Sequence, residues 1–201
     1  MYCLKCGKHQ NAKICFSCRW DLFKSVWQLC TRCAKSDCLG DCSDYLDLES
    51  FTVLFPLEGY FKSLLKESQQ NQSFYHQEIF KVLFEKYFLF YLNKTMRKYQ
   101  ITDIFITPTS WQEVIKGAWH PHLWFYEVLN TSKNLRVLPS FKWMNLSSLK
   151  DLTEALPQNI LILEDVFPKS DKLLNLARKI KDQSEEIKIH YMSFFRSYHT
   201  V

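Results

Sequence analysis

The residues best suited to chemistry are eight cysteines, all within the first 42 positions: Cys3, Cys6, Cys15, Cys18, Cys30, Cys33, Cys38 and Cys42. Two cysteines separated by two residues can aim both sulfurs from one tight turn at a single cation, and two such turns complete a tetrahedral thiolate shell. Cys3-Leu4-Lys5-Cys6 and Cys15-Phe16-Ser17-Cys18 are such turns, with eight residues between them. Gly7 follows the first, where a left-handed backbone is often required. Cys30 and Cys33 repeat the spacing while Cys38 and Cys42 are spaced by three residues, so these four form a second candidate zinc set. Four sulfurs leave no coordination position for water, so the zinc predicted here is structural.

A disulfide framework would spread its cysteines along the chain and tie distant segments together. Their confinement predicts a cysteine-rich zinc-binding module over residues 1–45 and a second domain over 46–201, with reduced thiols in the cytoplasm. Lys5, Cys6 and Lys8 interrupt any early apolar run, so no secretory leader is expected. The module carries seven Lys or Arg against four Asp, with Trp20, Phe23 and Trp27 just after the second turn. Cations interleaved with aromatic rings can hold single-stranded nucleic acid by neutralising phosphates and stacking bases, which makes Arg19 and Trp20 candidate contacts.

Several classes are excluded by what the 201 residues contain. At 47% hydrophobic and 23% charged the chain is too apolar for disorder. Four glycines, Gly7, Gly40, Gly59 and Gly117, cannot build a glycine-rich phosphate loop. The longest apolar stretch, residues 87–92, is far short of the roughly 20 needed to span a membrane.

The elements that must position any site alternate between strand and helix signals from residue 51 onward, the pattern of an α/β domain. Strands are predicted at 51–57, 101–107, 135–138, 159–163 and 187–195, and helices at 60–67, 74–98, 122–130 and 171–181, the last capped by Ser170. In the long helix, Ile79, Val82, Leu83, Lys86 and Phe90 lie at helical spacing and mark its core face. Glu164 and Asp165 follow the apolar run 159–163, at the carboxyl end of a buried strand where open α/β sheets bind ligands. There they would hold ribose hydroxyls or a magnesium ion. Lys116 and Trp119 offer a cation and a ring face for a base.

The order of these segments resembles the ComF (ComFC-type) late-competence family. The resemblance rests on the paired cysteine turns, Tyr60-Phe61-Lys62-Ser63-Leu64-Leu65, Ile104-Phe105-Ile106-Thr107-Pro108, Lys116-Gly117, and Ile160-Leu161-Ile162-Leu163-Glu164-Asp165-Val166. It implies a zinc-ribbon module joined to a type I phosphoribosyltransferase-like domain with a mostly parallel sheet. It also implies DNA uptake in natural transformation, with single-stranded DNA and a competence helicase as partners. Two alternatives accompany it: an active phosphoribosyltransferase using phosphoribosyl pyrophosphate and magnesium, and an adaptor that docks the helicase through the zinc module.

The chain departs from the family where pyrophosphate would be held. Glu164, Asp165 and Val166 are followed by Phe167, Pro168, Lys169 and Ser170 instead of a Thr-Thr-Gly stretch. A phosphate loop needs inward N–H groups and small residues, and Pro168 removes a donor. Lys169 and Ser170 compensate only in part, through charge and a hydroxyl. The expectation is therefore a degenerate site in a domain that keeps its shape.

Overall fold

Apolar runs buried on both faces favour parallel pairing, and the five described strands form one all-parallel sheet. The computed structural model describes residues 2–23, 38–39, 48–70, 73–107, 119, 121–129, 136–138, 158–167, 177–178, 180–182 and 184–196. In chain order the elements are α1 (Phe16–Phe23), β1 (Ser50–Pro56), α2 (Gly59–Gln70), α3 (Phe74–Tyr99), β2 (Asp103–Ile106), α4 (Pro121–Leu129), β3 (Arg136–Leu138), β4 (Asn159–Phe167) and β5 (Lys188–Arg196). Residues 177–178 and 180–182 are helical too. The predicted Ser170 cap of that helix lies outside the described residues.

The strand order is β1-β5-β4-β2-β3. From β2 the chain goes outward to β3 on one side, then returns to β4 on the other and continues to β5. The crevice between β2 and β4 is therefore the switch point of the sheet, where open α/β folds place ligands. Ile106 of β2 is level with Leu163 of β4, and the Thr107 N–H donates to the Leu163 carbonyl at 2.9 Å.

Strand alternation sorts the core into two faces. Ile160, Ile162, Ile189 and Tyr191 pack with Ala177 and Ile180. Leu161 and Leu163 pack with α2, α3 and α4 on the other face. That second face is built from rings: Phe88 stacks on Phe125 at 5.0 Å, Phe125 on Phe194 at 4.9 Å, and Phe80 meets Phe84 at 4.5 Å. Each fully buried ring contributes about 1.5–3 kcal/mol of transfer free energy.

Two expectations are corrected. The buried seam of α3 runs through Ile79, Phe80, Leu83, Phe84, Phe88, Leu92 and Thr95, whereas Phe90 is 63% exposed and Lys86 points to solvent. The helix is apolar on most sides, so the ring cluster of α4 and β5 selects the face. Strand β4 also continues past Leu163 to Phe167, because Val166 and Phe167 pair with Phe195 and Arg196 of β5. Glu164 and Asp165 thus lie inside the strand.

Candidate metal centre

The first cysteine turn is closed by backbone bonds. The Gly7 N–H donates to the Cys3 carbonyl and the Cys3 N–H to the Lys8 carbonyl, both at 2.9 Å. Gly7 takes φ of 72°, a left-handed conformation that a side chain would oppose. An antiparallel bridge between Tyr2 and His9 holds the two ends of the turn together. The second turn opens α1: Cys15 immediately precedes the helix, and its sulfur accepts the Cys18 N–H at 3.4 Å as an N-cap oxygen would. The Cys3 sulfur in turn accepts the Cys15 N–H at 3.3 Å.

These bonds bring Cys3, Cys6, Cys15 and Cys18 together, with all four sulfurs within 4.8 Å of one another. Tetrahedral zinc with bonds of about 2.3 Å sets its sulfurs about 3.8 Å apart. Cys6 and Cys15 already stand 3.9 Å apart.

The electrostatics of the cluster call for a cation. Burial would raise the Cys3 thiol, but N–H donation from Cys15, Cys6 and Lys5 outweighs it and brings it down to about 6. The Cys18 N–H lowers Cys15. Burial, with the sulfurs of Cys15, Cys6 and Cys3 alongside, pushes Cys18 up to about 12. Crowded sulfurs cannot all ionise without a positive charge among them, and a divalent ion with an affinity for thiolate supplies it. The residues therefore fit zinc, held by these four cysteines.

The cysteine lobe packs directly against the sheet domain. Cys3, Ile14, Cys15 and Cys18 belong to the same buried cluster as Phe61, Leu64 and Phe84 of the sheet domain. The Tyr75 hydroxyl donates to the Leu4 carbonyl, Lys13 pairs with Glu78 at 3.3 Å, and the Lys5 ammonium lies over the Tyr60 ring. In the second candidate set, Cys30, Cys33 and Cys42 lie outside the described residues. Cys38 is half-buried and does not belong to the four-sulfur cluster.

At the sheet crevice the two acids separate. The Tyr191 hydroxyl donates to Glu164 on one face, and burial followed by the Glu164 carboxylate pushes the phenol well above its ordinary value. Asp165 is completely buried on the other face, where it accepts from Gln69 Nε2 at 3.3 Å and from the Val166 N–H at 2.9 Å. The two carboxylates, expected to act together on a ribose or a magnesium ion, thus face opposite sides of the sheet. Thr107 Oγ1, just past the end of β2, is buried and has no hydrogen-bond partner among the described residues. Lys116, Lys169 and Ser170 lie outside the described residues.

Of the expected nucleic-acid contacts, Trp20 is 55% exposed and Arg19 is half-buried. Trp119, expected to offer a free face, sets its ring nearly perpendicular to Phe80 at 5.4 Å and packs on the core. Sequence reasoning missed Phe16, 80% exposed and one helical turn before Trp20. Their i, i+4 spacing was the available signal. It also missed the Gln69 contact, which no local pattern announces.

Fold and site together define an α/β protein with an all-parallel sheet and an amino-terminal four-cysteine cluster suited to zinc. No family model, curated protein or solved structure matches the chain. Among the described residues no helix is long and apolar enough to cross a membrane.

Proposed function

We propose that this chain is a ComF-like protein whose zinc-held lobe and phosphoribosyltransferase-like sheet domain bind single-stranded DNA during natural transformation, in the cytoplasm beside a competence helicase. The observation that carries the reading is the joining of a cationic four-thiolate lobe to a parallel sheet. Residues 2–23 carry Lys5, Lys8, Lys13 and Arg19 against Asp21, and the net negative charge of zinc held by four thiolates would leave a small cationic excess spread over the lobe's surface. Such a surface attracts a polyanion by releasing its counterions, without reading sequence. The sheet domain acts as scaffold: its acids are divided between two faces and bonded internally, which disfavours phosphoribosyl transfer.

Fluorescence anisotropy with a labelled single-stranded oligonucleotide over a salt series tests the reading. Three or four phosphate contacts give a slope of about −2 to −3 in log affinity against log salt. If no binding appears at low salt, the lobe is instead a protein-docking adaptor.

A further inference from the structure

Two large rings of α1 are left exposed, and their arrangement suits one ligand. Phe16 and Trp20 lie nearly parallel, with 12° between planes and centroids 6.3 Å apart. They are 80% and 55% exposed, so each keeps area open to solvent. Phe74 and Phe90 are exposed as well, but Phe16 and Trp20 stack in parallel beside one another on the helix that opens at Cys15, which suits them to a contact surface. An intrahelical pair at this spacing stabilises a helix only slightly, which does not account for rings of this size.

The first turn of α1 is fixed by the metal site, since Cys15 caps it and Cys18 lies within it. Phe16 falls between two metal ligands, and Trp20 is two residues past the second. The rings are thus presented on a rigid mount that adds little ordering cost on binding. The surroundings are cationic, with Lys8 exposed on the same lobe and Lys13 exposed but paired with Glu78.

We infer that Phe16 and Trp20 form the base-stacking platform of this protein, on which unpaired bases of single-stranded DNA stack while the lobe's lysines meet the phosphates. This deepens the proposed function and rests on it. It places the bases on the zinc lobe and away from the sheet crevice. Aromatic stacking is tolerant of sequence because every base has a π-face, so the platform discriminates unpaired from paired strands and not one base from another.

The test is anisotropy of the zinc-loaded full chain with an oligothymidine of about 15 nucleotides and with an abasic strand of the same length. The abasic strand is expected to bind at least about tenfold more weakly, and the Phe16→Ala/Trp20→Ala variant to lose at least about tenfold on oligothymidine, as one stacked base implies. Phe16→Tyr/Trp20→Phe, which keeps both rings, should stay within about twofold of the parent. Zinc content and melting temperature must match the parent for a variant to count, and the abasic comparison needs no variant. Equal affinity for both strands overturns the inference and leaves the proposed function standing. A dimer dispersed by Phe16→Ala/Trp20→Ala with unchanged oligothymidine affinity overturns it too, making the patch a self-association surface. No binding by the parent at low salt overturns the proposed function itself.

Discussion

Adjacent side chains on a strand project to opposite faces, and Glu164 and Asp165 follow that rule inside β4, one held by Tyr191 and the other by Gln69 and the Val166 N–H. A pyrophosphate sugar needs acids that converge on one side, together with open backbone donors. Calorimetric titration with phosphoribosyl pyrophosphate and magnesium should therefore give no measurable heat of binding at micromolar concentrations. A saturable isotherm there would restore the catalytic reading. The acids were legible in sequence as residues at a switch point. Their separation was not, because it depends on whether β4 stops at Leu163 or goes on, and that is decided by pairing with Phe195 and Arg196 far along the chain. The metal ligands were legible because chelation is local: two turns of four residues contain the whole geometry.

Among elements, β1, β4 and β5 are fastened at their amino ends by His190. Its Nε2–H donates to Asn159 Oδ1 at 3.3 Å and its Nδ1 accepts from Ser50 at 2.9 Å, with the Tyr99 ring 4.2 Å away. The neutral ring with its proton on Nε2 satisfies both bonds. Burial lowers the imidazole from 6.5 to about 4, with Lys188 and Lys98 assisting and Glu49 opposing. Between pH 6.5 and 4 the unfolded chain binds a proton at this position that the folded chain refuses, so stability falls as pH falls through that window. The loss reaches up to about 3 kcal/mol and is complete near pH 4. Urea midpoints of the parent and His190→Gln at pH 7 and pH 4.5 check this, and the drop should be smaller in the variant. Element positions were largely legible: α3 was expected at 74–98 and runs Phe74–Tyr99. Its buried face was not, since Phe88 and Phe90 lie on opposite sides of a helix that is apolar on both, and only the rings of Phe125 and Phe194 select the Phe88 side.

For the whole molecule, the main consequence is that the metal ligands and the sheet share one core. Removal of zinc should then unfold more than the lobe. A strong chelator is expected to lower the melting temperature of the entire protein by about 10 °C or more, in a single transition, read by circular dichroism. A sheet transition that stays in place while the lobe melts separately would contradict this. The second cysteine set is unaffected by that argument and needs its own metal count.

Strand order also governs how the chain is made. Among the described residues β1 has β5 as its only neighbour in the sheet, and the register joins Ser50 to His190. As the polypeptide leaves the ribosome, β1 must wait for more than half the chain to be translated before its hydrogen-bonding edge is covered. An all-parallel arrangement with such distant partners closes slowly, and the bare edge can pair with neighbouring nascent chains in the interval. The cysteine turns, whose partners lie within a few residues, can close during that wait.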